Sequence, residues 1–384
     1  MFESLSEYYK GAAYKWDDDT IWLYIAIIVI TSLLSFFAQS KFITCYRDPR
    51  NREVRKSQLS LALIFASFVI LWLFMAFRDV GVDLNMYRRI YEKPDDYLYV
   101  RTGFEPGYMF LNKMLHYIFP DALVGICIIS LLSVYFQYRA VIDNSGKISV
   151  GLAVLAIGCM FYLQSYNLVR IYLAANILLW ASKYIFAGKY GKYAIINGLT
   201  VLIHFSSLLV FIPFLLFLCW RKNKFWFWVV FALLLFIGYS SLSILSMIPI
   251  FSRYVGYLEK GMMRNEIGMM QYAINLPLIL LWLYARRVLP ASKYLDMLLT
   301  YTLAALFIGV MSYKVEMLGR SLVYFNVVYV LCVPYVVWQL RKRREVAAIA
   351  IGWTYAAYLF VRLYLYFTEY MYLDGIMPYK HVVL

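Results

Sequence analysis

Only 22 of the 384 residues are acidic and only three are histidine. His116, His204 and His381 stand too far apart to give ligand spacing, so no transition-metal site is expected. The five cysteines include no CxxC pair and imply no disulfide framework. Cys127, Cys159, Cys219 and Cys332 fall in or at the ends of apolar runs, and Cys45 lies in a basic loop. Neither a Walker loop nor a GxGxxG stretch occurs, so nucleotide-driven chemistry has no visible seat and no cofactor is expected. Charged residues make up only 15% of the chain.

Apolar residues are what the chain has instead. They account for 63% of the residues, and the mean hydropathy is +0.66. A soluble core of this length does not need that much apolar sequence. Runs of about 20 apolar residues cross a bilayer as helices. Such runs cover Ile21–Phe37, Leu59–Phe77, Ala122–Tyr138, Ile148–Leu163, Leu168–Phe186, Phe225–Met247, Tyr272–Ala285, Met297–Met311, Ser321–Leu340 and Val346–Phe367. No soluble domain fits between them, so residues 1–384 are expected to form a single integral membrane domain. Asp17, Asp18 and Asp19 precede the first run, where a secretory signal carries positive charge, so it is expected to remain as a span.

The net charge of +15 is mostly a topology signal. More than half of the 37 Lys and Arg fall in short loops on one side. Lys41, Arg47, Arg50, Arg52, Arg55 and Lys56 follow the first run, and Arg341, Lys342, Arg343 and Arg344 precede the last. Short loops of this kind stay in the cytoplasm. Positive charge split among small loops makes a nucleic-acid partner the weaker reading. The protein is therefore expected in the cytoplasmic (inner) membrane, multi-pass, with its chemistry facing the periplasm or cell exterior.

Two segments need a decision. Tyr193–Trp220 is long for one span and short for two, and basic residues flank both ends. A helical hairpin with His204, Phe205, Ser206 and Ser207 at its tip satisfies the charge rule; one tilted helix is the alternative. Two helices of about 14 residues reach about 21 Å, short of a core about 30 Å thick, so the tip should lie within a cavity. Glu105–Phe119 is too short to cross and carries Glu105, Lys113 and His116. It reads as a helix in the outer leaflet. The expected fold is an all-α polytopic membrane protein of about twelve spans, one pair a short hairpin, with both termini outside.

Polar residues at the ends of apolar runs carry the candidate chemistry. An arginine between two spans turns inward, toward a cavity, a counter-ion or an anionic ligand. Arg170 opens one run with no acidic residue within four positions, and is the best candidate for an anionic ligand. Arg320 opens another, but follows Glu316 by one helical turn, so a local ion pair is its alternative. Arg78 ends a third, where snorkelling into a solvated loop is the plainer reading. Asp83 and Tyr87 share a helical face just beyond it. His204 interrupts an apolar stretch, where a buried, satisfied histidine is the common outcome. The chain also holds 37 Tyr, 27 Phe and 10 Trp. An aromatic belt explains most of them; stacking on sugar rings is the functional alternative for Tyr87, Tyr254 and Tyr257.

These segments together resemble the EpsG-like branch of the Wzy-type polysaccharide polymerases. The matching pieces are FRDVGVDLNMY (77–87), FEPGYMFLN (104–112), YNLVRIYLAANI (166–177), IHFSSLL (203–209), SRYVGYLEKG (252–261), GRSLVYF (319–325) and MPY (377–379). They occur in the family's order. Isoleucine follows Arg170 where glutamine is frequent, and serine follows Arg320 where isoleucine is frequent.

The resemblance implies a GT-C-type membrane glycosyltransferase that needs no metal. Such enzymes transfer a growing glycan from undecaprenyl diphosphate to a lipid-linked repeat unit on the outer face, for O-antigen, capsule or exopolysaccharide. Their partners are undecaprenyl-diphosphate-linked oligosaccharides, membrane lipid and a chain-length regulator. It implies catalytic roles among Asp83, Arg170, Arg320, His204 and Glu105. Substrate contacts are implied for Arg78, Tyr87, Arg253, Tyr254, Tyr257, Glu316 and Tyr379. Arginine binds phosphate oxygens bidentately at any cellular pH, which suits Arg170 and Arg320, with Arg78 as a third donor. Asp83 leads the candidates for general base, ahead of Glu105 and His204. The outer loops 78–121 and 248–271 are expected to wall the cavity. An O-antigen ligase would carry a larger outer loop. A flippase would carry charge through its whole depth, and an acyltransferase would need a cytoplasmic donor site.

Overall fold

The computed structural model describes residues 17–39, 46–47, 54–55, 58–95, 105–240, 269–312, 316–369, 371 and 374–382. Helices dominate them. In chain order they are α1 (Asp18–Gln39), α2 (Gln58–Ala76), α3 (Leu84–Glu92), α4 (Pro106–Ile118), α5 (Ala122–Asp143) and α6 (Val150–Ile157). Then come α7 (Val169–Phe186), α8 (Tyr190–Val201), α9 (Phe211–Lys222), α10 (Lys224–Ser240) and α11 (Met269–Val288). The last are α12 (Lys293–Ser312), α13 (Glu316–Asn326), α14 (Tyr329–Lys342) and α15 (Ala347–Glu369). One departure from an all-α chain is a ribbon in the first basic loop, where Tyr46–Arg47 pairs antiparallel with Val54–Arg55.

Among the described residues, six helical stretches are long and apolar enough to cross a bilayer: Asp18–Gln39, Gln58–Ala76, Ala122–Asp143, Phe205–Lys222, Gly319–Lys342 and Ala347–Thr368. The chain is a polytopic membrane protein on that ground. Helices also occupy the described parts of the other expected spans. Two expected spans are interrupted. The run Ile148–Leu163 widens from α6 into a π-turn at Gly158–Tyr162 and then a 3-10 turn at Gln164–Tyr166. The run Ser321–Leu340 is divided by a turn between α13 and α14. The span expected at Phe225–Met247 is helical to Ser240, and its end lies outside the described residues.

Apolar surface gives helices in lipid no reason to associate, so small and polar residues do the linking. On α1 and α2, the Ser35 and Ser67 hydroxyls meet at 3.0 Å, and Ser67 meets the Tyr138 hydroxyl of α5 at 2.6 Å. Between α5 and α7, Gln137 donates to Asn176 at 3.1 Å, and Asn176 donates to Ser133 at 2.8 Å. These ladders fix α7, and with it the residues of its first turn.

The hairpin expected at Tyr193–Trp220 is present. Ring contacts pair Tyr190 with Phe217 and Tyr193 with Phe214, an antiparallel register between α8 and α9. The tip runs through His204 into a 3-10 turn at Phe205–Val210. The expected outer helix is α4, with Pro106 in its first turn, where a missing N–H costs nothing. Its Tyr108, Met109, Asn112 and Leu115 are buried, while Phe110, Met114, Tyr117 and Ile118 are exposed. Its N-terminus docks on the hairpin tip. The N–H groups of Gly107 and Tyr108 both donate to the Leu202 carbonyl, at 2.8 and 3.2 Å. A Cβ on Gly107 would stand 2.8 Å from that oxygen, so the approach needs glycine.

The carboxy-terminal tail is built into the molecule. Tyr24 donates to the Ile376 carbonyl at 2.7 Å, and the Tyr379 N–H donates to Thr20 at 2.8 Å. The Tyr379 hydroxyl donates to the Phe74 carbonyl at 3.2 Å. Tyr379, expected to contact substrate, anchors the tail to α1 and α2.

Candidate active site

Arg170, at the first turn of α7, meets the carboxylate of Glu105, which caps α4. The Nδ1 of His204 meets the other oxygen of the same carboxylate. The Phe205 N–H adds a bond to that oxygen at 3.3 Å. Glu105 is 3% exposed. Two separate segments therefore converge on the one buried carboxylate of a third. Burial alone raises a carboxyl pKa, but here the bond from His204 and the charge of Arg170 outweigh it. The Glu105 pKa lies below the ordinary glutamate value.

The cavity opens on the far side of this anchor. It measures about 120 Å³ and is lined by Asp83, Tyr87, Leu168, Arg170, Ile171, His204, Ser206, Arg320 and Ser321. Pockets that enclose a whole ligand run to roughly 300–1,000 Å³, so this one holds a small group. Among the described side chains Arg320 has no ion-pair partner, and it is exposed. Arg170 also bears on the Tyr87 hydroxyl and stacks over Tyr108, its Cζ 5.9 Å from the ring centroid. Burial raises the Asp83 pKa above the ordinary aspartate value, and the charges of Arg320 and Arg170 partly offset that shift.

Asp83 and Tyr87 line the cavity together, as their helical spacing predicts, with Asp83 just ahead of α3. Arg78 does not join them. It is 1% exposed, and its guanidinium donates to the carbonyls of Tyr166, at 2.8 Å, and Met75, and to Ser130 at 3.5 Å. Arg78 therefore lies away from this cavity and does not snorkel into a solvated loop. Both Glu105 oxygens are occupied and its pKa is lowered, an arrangement that suits an anchor. Arg253, Tyr254, Tyr257 and the rest of loop 248–271 lie outside the described residues. So does the side chain of Glu316, whose backbone opens α13.

Sequence reasoning passed over Asn167 and Asp374. Asn167 accepts the Asp83 N–H at 2.8 Å and donates to Asp374 at 3.1 Å. Asn167 stands within the YNLVR stretch, and a polar residue just ahead of an apolar helix was the available signal. Asp374 carried none, because its relation to Asp83 is purely tertiary.

A helical membrane protein that gathers two arginines and a carboxylate around one small cavity is of a class equipped to bind an anionic ligand. The chain matches the EpsG family over residues 61–381 and belongs to it. That family is exopolysaccharide and O-antigen polymerase-like. No curated protein and no solved structure matches the chain.

Proposed function

We propose that this protein polymerises a polysaccharide on the outer face of the cytoplasmic membrane. The growing glycan leaves undecaprenyl diphosphate and is joined to the non-reducing end of a lipid-linked repeat unit. The observation that carries this reading is the convergence of Arg170 and Arg320 on one cavity, from segments far apart in sequence.

The acceptor hydroxyl oxygen bonds to the anomeric carbon of the donor sugar. The bond from that carbon to the diphosphate oxygen breaks, and the diphosphate leaves with the electron pair. The acceptor proton goes to a base. Arg170 and Arg320 stabilise the charge that grows on the leaving diphosphate, which is electrostatic catalysis by groups already in place. Arg170 is held for that task by Glu105. His204, held through Nδ1 by the same carboxylate, takes the third donor position that Arg78 does not fill. Its Nε2 is the ring nitrogen left to act in the cavity.

Asp83 takes the proton. Burial raises its basicity, while the neighbouring arginines favour its ionised form. Glu105 is shifted the opposite way. Two carboxyls pushed apart in pKa mark two roles, here base and anchor. The apolar face of α4, set toward lipid, suits a polyprenyl chain, while Tyr87, its ring buried against Tyr108, steadies Arg170 through its hydroxyl.

The test is purified protein in lipid nanodiscs, given lipid-linked repeat units from a strain lacking this chain. Ladders of lipid-linked polymer should form, and Arg170→Ala should form none. Transfer to a lipid A core acceptor without ladders would instead identify a ligase. Movement of repeat units across a bilayer without growth would identify a flippase.

A further inference from the structure

The loop that carries Asp83 has almost no structure of its own. The Asp79 N–H donates to the Lys380 carbonyl at 2.7 Å, the Gly81 N–H to Gly375 at 3.0 Å and the Val82 N–H to Asp374 at 3.0 Å. The Asp83 N–H goes to Asn167. From the other side, the Val382 N–H donates to the Phe77 carbonyl at 2.8 Å. Gly81 adopts φ of +117°, a conformation that side chains strain against. The shape of the loop is therefore imposed by the tail and by Asn167.

Asn167 is the joint. Its side-chain oxygen accepts from Asp83, and its nitrogen donates to Asp374 Oδ1. The other Asp374 oxygen accepts from the Tyr366 hydroxyl at 2.6 Å. Asn167 also lies just ahead of Arg170 on the same segment. A single side chain thus ties the carboxylate-bearing loop to the arginine-bearing helix, and Asp374 fixes which way its amide faces. With the amide reversed, a nitrogen would confront the Asp83 N–H.

We propose that Asp374 and Asn167 are positioning residues for the reaction: the carboxy-terminal tail sets the Asp83 carboxylate opposite Arg170 and Arg320. The inference rests on the polymerase reading for its kinetic consequence, but not for its structural one. A displacement of about 1 Å at a reacting group can cost on the order of 100-fold in rate. The tail is the element that prevents it.

A donor–acceptor swap tests the idea. Asn167→Asp sets a second carboxylate against Asp374 and breaks the link. Adding Asp374→Asn restores every bond: the new aspartate accepts from Asp83 and from the new asparagine, whose oxygen still accepts from Tyr366. Full-length proteins in nanodiscs are compared for chain growth and for hydrogen exchange at the Asp83 amide. Asn167→Asp should lower kcat on the order of 100-fold, with little change in KM for the lipid-linked donor. The double variant should recover most of the loss. Asp374→Ala should raise exchange at Asp83 while Ala175, buried in the middle of α7, stays protected. Wild-type turnover by Asn167→Asp overturns the proposal, as does a folded double variant no better than the single one. If Asn167→Asp does not fold, the double variant and Asp374→Ala decide: unchanged Asp83 exchange in Asp374→Ala also overturns it. A wild-type protein that makes no polymer, yet shows the exchange pattern, counts against the polymerase reading and leaves the positioning role standing.

Discussion

The Arg170 guanidinium meets the Glu105 carboxylate across 65 positions of sequence. The pair joins the first turn of α7 to the cap of α4, and His204 completes it from the hairpin tip. An arginine with a buried counter-ion on one side and a cavity on the other is aimed, and a freely moving one is not. Glu105 therefore does for Arg170 and His204 what Asn167 does for Asp83.

Removal of that carboxylate should be costly. Glu105→Gln leaves the Arg170 charge partly buried without its partner. Breaking a buried ion pair costs roughly 3–5 kcal/mol; Arg170 is 20% exposed toward the cavity, which sets the expectation near the low end. The midpoint of thermal unfolding in detergent should fall, and chain growth should be lost. Because the folded Glu105 pKa is depressed, its contribution to stability is present above the ordinary glutamate value and is lost as pH falls through the folded one. Glu105→Gln should lack that acid-side loss. A variant with normal melting and normal polymer would show that Glu105 anchors nothing.

Much of this was legible in the sequence, and the limits are physical. Apolar runs and loop charge gave the helices. Flanking basic residues gave the hairpin that ring pairs between α8 and α9 confirm. Arg170, Arg320, His204, Asp83 and Tyr87 were each visible as polar breaks or shared faces, and they line one cavity. Periodicity reports what lies on one element, so it could not show that Arg78 turns into the core. Nor could it reveal that the Glu105 oxygens are both taken, or that Asp374 lies beside Asp83.

Arg320 and Arg170 should separate by stability. Arg320 is exposed, so Arg320→Ala should change folding by about 0.5 kcal/mol or less. It should still abolish long polymer, mainly by weakening the hold on the diphosphate. Lysine restores charge but not the planar fork, so Arg320→Lys should recover only part of the activity. Long polymer from Arg320→Ala, scored on gels of surface glycan at matched protein level, would remove Arg320 from the site.

Gly107 tests the dock between α4 and the hairpin. Its Cβ position is 2.8 Å from the Leu202 oxygen and 2.8 Å from the Leu202 Cβ. Backbone cannot yield cheaply there, so Gly107→Ala should cost about 1–3 kcal/mol, as overpacking does. It should also draw His204 off Glu105. Melting and chain growth should fall together. An alanine variant equal to wild type in both would mean that the two elements part freely.

Orientation has a direct check. Arg344 and Asp95 are both exposed, at opposite ends of the expected topology. In a cysteine-free background, an impermeant maleimide applied outside the cytoplasmic membrane should label Asp95→Cys and spare Arg344→Cys. The reverse pattern would place the cavity in the cytoplasm and end the outer-face reading.

The assignment of the base is decided by comparing Asp83→Asn with His204→Gln. Asparagine keeps the size of Asp83 and leaves its N–H with Asn167, so the loop should hold its shape. It cannot take a proton. Donor binding should survive while kcat falls roughly 100-fold or more, the range of lost acid–base catalysis. Glutamine at His204 can still donate to Glu105, so the anchor should persist. The loss there should appear in KM for the lipid-linked donor more than in kcat, because one donor to the diphosphate is gone. The pH profile adds an independent reading. The Asp83 pKa is raised, so wild-type kcat should decline on the acid side at a pH above the ordinary aspartate value. His204→Gln should keep that decline, and the residual rate of Asp83→Asn should lose it. If His204→Gln instead binds donor normally and loses both turnover and the acid limb, the proton goes to His204, and Asp83 is a ligand for the acceptor sugar.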